Sequence, residues 1–302
     1  MTQPSLAGAE PNGVLPVDKP EGPTSHDVVA RVRRALRTRA VGHTGTLDPF
    51  ASGLLLVCAG PATRLAEYLT GLTKTYVATL RLGATTDTDD LTGETIGGSD
   101  AWRAVTREQI EAALRAQVGT IEQLPPLYSA KKVDGERMYA AARRGEQVER
   151  KPSTVTIHAI RLLGIDLPDV EFEVECGAGT YIRAIARDAG GALGVGGHLR
   201  TLRRTRVGPH SVERAVPLDQ LDDEARVRAA MLTPLEAVAH LPRARVDEEG
   251  IAALRFGRAV PAAPDVPAVG PVALASEGGT LLAIAERNGE LLQPRKVFVV
   301  GG

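Results

Sequence analysis

The chain has 302 residues, of which 43% are hydrophobic and 24% charged, with a formal net charge of −1. These values are typical of a globular protein with one large domain or two unequal ones. No apolar run reaches the roughly 18 residues that a membrane-spanning helix needs, and the two cysteines lack the spacing of a disulfide framework or a zinc site.

The N-terminal end predicts a flexible tail over residues 1–12. It is rich in proline and small residues, and it has neither the basic start nor the apolar core of a signal peptide. The expected compartment is therefore the cytoplasm. A helix is predicted to follow, with Ser25 as its cap and apolar residues at helical spacing: Val28, Val29, Val32 and Leu36.

The next stretch, GHTGTLDP, carries a lone carboxylate at Asp48 in front of an apolar run. Pro49 favours an extended backbone at Asp48. Taken alone, these residues fit two interpretations equally well. One is an Asx turn or helix cap, and the other is an acid at the rim of a pocket. His43 offers a second metal ligand, but no third ligand is evident, so a metal site is not expected.

A strand is predicted from Tyr76, where apolar and polar residues alternate in TYVATLRLG. The following DTDDLTGE (87–94) has aspartates spaced somewhat like those of a calcium loop, but the third acid, the glycine and the closing glutamate are missing. It is therefore expected to form a turn or a polar network. A helix is predicted from a Thr106 cap to Gly119.

Three segments concentrate basic residues in this nearly neutral chain: 31–39, 130–151 and 200–206. Such clusters are the electrostatic signature of a polyanion site, although a single charged run is usually a solvated face. Three of them favour an RNA or DNA partner.

Two strands are predicted at 153–165 and 170–176, followed by a glycine-rich bend and a helix that begins near Thr180. Arg183 lies one turn into that helix, where a guanidinium can hold a carboxylate through two parallel hydrogen bonds. The alternative for any single arginine is a surface ion pair. The stretch from 218 to 241 is predicted to be mostly helical.

After Pro242 the pattern changes to short apolar pieces separated by glycine and proline, and RNGE is a strong hairpin signal. Residues 242–302 are therefore predicted to form a small all-β module, with the main domain at 13–241.

Taken together, these motifs resemble the TruB-type tRNA pseudouridine synthases over roughly residues 13–240. The motifs that carry the resemblance occur in the order and spacing of that family: VDKPEGPTSHDVV, GHTGTLDPFASGLLLV, KTYVATLRLGATTDTDDLTGE, PPLYSAKKVDGERMYAAARRGE, GTYIRAIARDAGGALG and LRRTRVG. The resemblance implies an α+β fold with a mixed, largely antiparallel sheet flanked by helices. It also implies a small C-terminal PUA-like, RNA-binding module and a basic, thumb-like segment at 130–151.

The resemblance further implies the isomerisation of uridine at position 55 in the T-loop of tRNA to pseudouridine, without cofactor or metal. Asp48 corresponds to the essential carboxylate, Tyr76 to the residue that contacts the flipped base, and Arg183 to the partner of Asp48. Substrate-binding roles are implied for a further set: His43, Leu202, Lys19, Tyr181, Lys131 and Lys132. No obligatory protein partner is expected, and the chain is expected to be a monomer.

Several alternatives stay open at this stage. Asp48 can attack the ribose C1′, attack the base at C6, or abstract a ribose proton, and each role needs an ionised carboxylate in a dry pocket. A non-catalytic RNA-binding protein would use the same basic surfaces. A guide-RNA-dependent synthase is another alternative, although such synthases tend to carry longer terminal extensions than this sequence shows. A glycosidase needs two carboxylates at matched spacing, and a second one is not evident.

Overall fold

The computed structural model describes residues 11–128, 132–133, 136–137 and 150–299. It contains two main β-sheets with helices packed on them. The helices are α1 (Ser25–Ala35), α2 (Ala66–Thr70), α3 (Arg107–Arg115), α4 (Ile182–Ala192), α5 (Glu224–Ala230), α6 (Pro234–Ala237) and α7 (Glu248–Arg255). Short 3-10 helices cover Gly60–Leu65, Asp100–Ala104, Val212–Arg214 and Leu218–Gln220.

The larger sheet has ten strands. They are β1 (Gly13–Lys19), β2 (Val41–His43), β3 (Ser52–Ala59), β4 (Lys74–Leu82), β7 (Gly119–Gln123), β10 (Ser153–Asp166), β11 (Asp169–Cys176), β12 (Gly197–Val207), β13 (His210–Ser211) and β14 (Val216–Pro217). The order is β14-β1-β3-β12-β4-β11-β10-β7, with β2 beside β3 and β13 beside β12. Its pairs are antiparallel except β1 with β14 and β3 with β12. The predicted α+β class with a largely antiparallel sheet is confirmed.

The second sheet has five strands and lies in the C-terminal part. They are β15 (Arg243–Arg245), β16 (Val260–Pro261), β17 (Pro271–Ala275), β18 (Leu281–Asn288) and β19 (Leu291–Val297), in the order β15-β17-β18-β19-β16. The RNGE turn joins β18 to β19 as predicted, with Gly289 at a φ of 61°. Two small hairpins complete the strands: β5 (Thr85–Thr86) with β6 (Thr95–Gly97), and β8 (Lys132–Val133) with β9 (Glu136–Arg137).

Helix α1 begins one residue earlier than the predicted cap implies. Thr24, not Ser25, is the N-cap, because the side chains of Thr24 and Asp27 each accept the other residue's backbone N–H in a capping box. The expected apolar face is present, with Val28, Val29 and Val32 buried. The hydroxyl of Ser25 is buried as well and is used elsewhere, as described below.

Strand β4 lies near the centre of the large sheet, and its residues alternate regularly between buried and half-buried positions. It lies between β11 and β12, so Tyr76 faces Val174 on one side and Arg204 on the other. Helix α4 packs against β12 very closely. A Cβ on Gly190 would lie 2.5 Å from the backbone of Gly197, so only glycine allows this approach.

Cys58 and Cys176 are both free and buried, in agreement with the predicted packing role. No helix of the described residues is long and apolar enough to cross a membrane.

Candidate active site

Asp48 lies in a loop that two buried side chains fix to the sheet and to α1. Ser25 Oγ accepts the N–H of Leu47 at 2.9 Å and donates to the carbonyl of the same residue at 3.1 Å. Arg204, 2% exposed, donates to the carbonyls of Leu54 at 2.7 Å and Gly45 at 3.0 Å. Buried, fully bonded polar groups of this kind restrict a loop strongly. The helix-cap interpretation of Asp48 is not realised, because strand β3 follows it.

Lys19 holds the other end of the loop. Its ammonium group is fully buried and donates to the carbonyls of Pro20 at 2.9 Å and Pro49 at 3.3 Å. Burial lowers the pKa of Lys19 to about 8, while the nearby Asp48 carboxylate opposes that shift. The contacts of Lys19 therefore fix the residue next to Asp48 and supply a second cation near the carboxylate.

Arg183 connects two carboxylates at the start of α4. Its Nε lies 3.0 Å from Asp48 Oδ2, and its Nη1 lies 3.3 Å from Asp90 Oδ2. Nη1 also donates to the carbonyl of Thr88 at 3.0 Å, and Nη2 donates to that of Tyr128 at 2.9 Å. The predicted contact with Asp48 is present, but the two parallel hydrogen bonds are not, because both terminal nitrogens are used by other acceptors.

The charge of Asp48 reflects competing effects. Burial raises the pKa of Asp48 above its ordinary value, and the Asp90 carboxylate adds to that shift, while Arg183 and Lys19 oppose it. About a third of the Asp48 side chain is exposed, whereas the side chains of Arg183 and Asp90 are each only 5% exposed. Asp48 is thus the member of this cluster that a substrate can reach.

A cavity of about 240 Å³ opens beside Asp48. Its wall combines the carboxylate with apolar and aromatic side chains and with the glycine-rich bend before α4. The lining residues that bear on function are Asp48, Lys74, Tyr76, Tyr181, Arg183 and Leu202. Tyr76 is 8% exposed, and burial raises the pKa of its hydroxyl, while the charge of the neighbouring Arg204 opposes that rise. A pocket that combines one reachable acid with apolar and aromatic side chains suits chemistry on a flat ring.

The structure thus brings Asp48, Tyr76, Tyr181, Arg183 and Leu202 to one cavity. His43 and Lys19 belong to the surrounding layer and are not among the lining residues. His43 ends β2, where its Nδ1 accepts the N–H of Gly45 at 3.3 Å and its ring meets that of His26 edge-on. Lys131 and the side chain of Lys132 lie outside the described residues, as does most of the segment 130–151.

Asp90 is the main residue that the sequence did not single out. Its Oδ1 accepts hydrogen bonds from Thr88, at 2.8 Å from the hydroxyl, and from the backbone N–H of Thr92 at 2.9 Å. The interpretation of DTDDLTGE as a polar network is therefore right. The described residues contain no group of three potential metal ligands. Lys74 was also missed. It is buried on the cavity wall, and burial lowers its pKa to about 8.

Most arginines of the basic run at 200–206 bind other groups of the same chain. Arg203 pairs with Asp18 at 2.7 Å, Arg200 pairs with Asp169, and Arg204 is buried. The run at 31–39 is more open, and Arg31, Arg34 and Arg37 line a separate surface cavity of about 340 Å³. Asp222 and Glu224 line the same cavity, and Arg37 lies 3.7 Å from Glu224, so this surface carries charges of both signs.

Comparisons with known proteins identify the family of the chain. The model of the TruB family pseudouridylate synthase N-terminal domain matches residues 33–182, and that of the tRNA pseudouridylate synthase B C-terminal domain matches residues 183–239. The chain is 43% identical to tRNA pseudouridine synthase B of Paenarthrobacter aurescens (strain TC1), with 96% of each chain covered. It is 46% identical to the protein of that name from Thermobifida fusca (strain YX), covering 95% and 98%.

Among solved structures, the chain resembles one titled as a Cbf5-Nop10-Gar1 complex. The TM-score is 0.74 at 32% identity, over 95% of this chain and 85% of the other. These matches, with the cavity around Asp48, define the protein as a pseudouridine synthase. Pseudouridine synthases are isomerases. Within that class the chain belongs to the TruB family, because the two family models together span residues 33–239 without a gap.

Proposed function

We propose that this protein isomerises the uridine at position 55 in the T-loop of tRNA to pseudouridine, with Asp48 as the essential carboxylate. The observation that carries the proposal is the reachable Asp48 carboxylate, 3.0 Å from Arg183 on the wall of an open cavity. The curated relatives named tRNA pseudouridine synthase B support tRNA as the substrate.

The reaction breaks the N1–C1′ bond, turns the uracil and joins its C5 to C1′. Asp48 must be ionised for any of its three possible roles, whether attack at C1′, attack at C6 or abstraction of a ribose proton. Arg183 and Lys19 favour that ionised form against the cost of burial. The detached uracil has to stay in place while it turns, and the apolar wall that includes Leu202 serves this purpose.

The target base must leave the stacked T-loop before Asp48 can reach it. Flipping a base costs a few kcal/mol, and stacking on an aromatic side chain returns about 1–3 kcal/mol. Tyr76 is the residue for that contact, since it lies on the cavity wall beside Asp48 and Arg204. Tyr181, at the bend before α4, is a second aromatic wall for the nucleotide.

A glycosidase is a poor alternative even though a second carboxylate is now evident. The Asp90 side chain is 5% exposed, is not among the cavity lining, and already binds Arg183 and Thr92. It therefore cannot act on a substrate as the second acid that glycoside hydrolysis requires.

The test is tritium release from a tRNA transcript labelled at uridine C5. The purified chain should release tritium at one position, and a transcript with cytidine at position 55 should release none. The Asp48→Asn variant should bind tRNA but release nothing. A non-catalytic RNA-binding protein would bind the transcript without any release, and turnover by the Asn variant would remove Asp48 from its proposed role.

Use of a separate guide RNA is the second candidate, favoured by the likeness to solved complexes. One is titled as an H/ACA RNP bound to a substrate RNA, at 29% identity. Identity of 41–46% to the curated bacterial proteins favours a stand-alone enzyme. We propose that the chain acts as a cytoplasmic monomer without an obligatory partner. Activity of the purified chain alone on tRNA distinguishes a stand-alone enzyme from a guide-dependent one. Its mass by light scattering tests whether it is a monomer.

The remaining contacts with tRNA are proposals of the same kind. We propose residues 13–241 as the catalytic domain, residues 242–302 as a PUA-like, RNA-binding module, and the basic segment 130–151 as a contact to the T arm. Lys131 and Lys132 would meet phosphates. Each lost phosphate contact reduces the slope of log affinity against log salt by about 0.7–0.9. Replacing both lysines by alanine should therefore flatten the slope by more than one unit.

A further inference from the structure

The orientation of Arg183 depends on two separate segments. The first is the 86–93 loop, which supplies Asp90 and the carbonyl of Thr88. The second is the 124–128 segment after β7, which supplies the carbonyl of Tyr128. If either segment moves, Arg183 loses acceptors for its terminal nitrogens, and its Nε no longer has a fixed position against Asp48.

Arg187 lies one helical turn beyond Arg183 on α4, so both side chains project from the same face. It bonds both of the segments that hold Arg183. Its Nη1 lies 2.8 Å from Asp89 Oδ2 in the 86–93 loop, and its Nη2 donates to the carbonyl of Leu124 at 2.9 Å. Its Nε donates to Asp188 at 2.8 Å, which fixes the plane of the guanidinium.

Asp89 is itself held firmly, which makes it an effective anchor. Its side chain is 7% exposed, and its backbone carbonyl accepts the N–H of Leu199 in β12 at 3.0 Å. Its φ of 61° lies in the left-handed region that non-glycine residues rarely adopt. Asp89 is also the direct neighbour of Asp90. The bond from Arg187 to Asp89 therefore holds the part of the 86–93 loop from which Asp90 reaches Arg183.

We propose that Arg187 is a positioning residue for catalysis, which joins the 86–93 loop to the 124–128 segment and thereby fixes Arg183 against Asp48. This inference rests on the proposed roles of Asp48 and Arg183. Arg187 is not among the residues that line the cavity, so its effect on the reaction is indirect. Its side chain is 18% exposed and Asp89 only 7%, so thermal unfolding has to be measured beside the rate of any Arg187 variant.

The experiment measures single-turnover pseudouridine formation, tRNA affinity and thermal unfolding for four variants of the full chain. Arg187→Gln removes both tethers, and Asp89→Asn weakens one of them while keeping the size of the side chain. Arg81→Gln is the matched control. Arg81 binds Asp169 through two bonds of 2.8 and 2.9 Å, but its Cα lies five residues along β4 from Tyr76, roughly 16 Å away. Asp48→Asn tests the proposed function itself.

Arg187→Gln should lower the single-turnover rate about tenfold or more while tRNA affinity stays within about twofold, since a small misplacement of a catalytic group costs that much. The acid limb of its rate profile should also move to higher pH, because Arg183 then opposes the protonation of Asp48 less well. Asp89→Asn should show the same two changes to a smaller extent. Arg81→Gln should lose stability without either change.

A wild-type rate and pH profile in a folded Arg187→Gln protein would overturn the inference. So would an equal loss of rate in Arg81→Gln, which would mean that general loosening is responsible. If Arg187→Gln does not fold, Asp89→Asn decides by the same criteria. Turnover by Asp48→Asn would instead overturn the proposed function, whereas an inactive Asp48→Asn beside a fully active Arg187→Gln overturns the positioning role alone.

Discussion

At the scale of single residues, the site is defined by how three side chains share charge. Asp48 is not the sole partner of Arg183. The same guanidinium also bonds Asp90, whose carboxylate is buried. Lys19 supplies a second positive charge near Asp48, so Asp48 is not left to a shared cation alone. Asp48 is thus held through Oδ2 while about a third of its side chain stays exposed.

The pH dependence of the reaction follows from that arrangement. Burial raises the pKa of Asp48, with Asp90 adding to the shift and Arg183 and Lys19 opposing it. Tyr76 also lies on the same cavity wall as the Asp48 carboxylate. If the ionised form is the active one, the rate should fall as pH falls through a value above that of an ordinary aspartate, about 3.9. Single-turnover rates between pH 4 and 8 measure this limb.

Arg183→Gln serves as the comparison for that profile. Loss of the guanidinium removes the largest effect that favours the charged form, so the limb should move to still higher pH. A limb that stays in place in the Gln variant would show that another group, or a step other than chemistry, controls the profile.

Arg183→Lys should lower the reaction rate strongly even though the substitution keeps the positive charge. The guanidinium contacts Asp48, Asp90 and two carbonyls through three nitrogens in one plane. A lysine ammonium cannot reach all four acceptors. Single-turnover rates should fall by more than tenfold, which corresponds to about 1.4 kcal/mol. A smaller loss in a protein with unchanged thermal unfolding would mean that the planar geometry is not needed.

Much of this site could be predicted from the sequence, but its second layer could not. Asp48, Tyr76, Arg183 and Leu202 were expected from motif resemblance, and the structure places all four on one cavity. The pairing of Arg183 with Asp90 was missed because the two residues are 93 positions apart, and only the packing of α4 against the 86–93 loop joins them. Motif spacing carries no information on such a contact.

At the scale of elements, local patterns predicted the strands better than the helix ends. The alternation in β4 and β11 matches the observed burial residue by residue. The helix predicted to run to Gly119 ends at Arg115, and Gly119 instead begins β7 with a φ of 116°. Ser is by itself the better cap, but Thr24 is followed by Asp27 at the spacing of a capping box, and that local pair sets the N-cap. The Ser25 hydroxyl instead bonds Leu47, 22 residues away.

That contact gives a testable link between α1 and the reaction. Ser25 both donates to and accepts from the backbone of Leu47, the residue before Asp48. Ser25→Ala leaves a buried N–H and C=O unsatisfied, at a cost of about 1–3 kcal/mol. We expect a lower Tm and a lower single-turnover rate with little change in tRNA affinity, because the Asp48 loop loses its anchor.

Thr24→Ala is the matched control for this loop. It removes the N-cap of the same helix, worth about 1 kcal/mol, without touching Leu47. It should lower Tm while keeping the rate. Equal rates in the two variants would show that the loop keeps Asp48 in place without Ser25.

At the scale of the whole molecule, the C-terminal module is not a separate attachment. It was predicted to be all β, but it contains helix α7, which the β-like composition of its surroundings concealed. Its sheet shares a hydrophobic cluster with β3 and α2 of the main domain, and that cluster includes Ile284 together with Leu54, Leu65 and Leu69. Lys296 pairs with Glu67 at 2.9 Å, and Arg64 donates to the carbonyl of Val297 at 2.7 Å.

A shared core predicts cooperative unfolding of the two parts. Ile284 is fully buried in the shared cluster, whereas Leu254 is fully buried in a cluster confined to the module. Replacing either by alanine should cost about 2–5 kcal/mol. If the parts unfold together, the wild type shows one calorimetric transition, and both variants lower its midpoint by similar amounts.

The two variants should differ in how the parts stay together. Ile284→Ala loosens the joint core, so it should increase proteolysis between residues 239 and 243, where the chain passes from α6 to β15. Leu254→Ala should not, because the cavity it creates lies within the module. Two separate transitions in the wild type, with Leu254→Ala moving only one of them, would mean that the module folds independently. The cluster around Ile284 would then be a docking contact between two stable units.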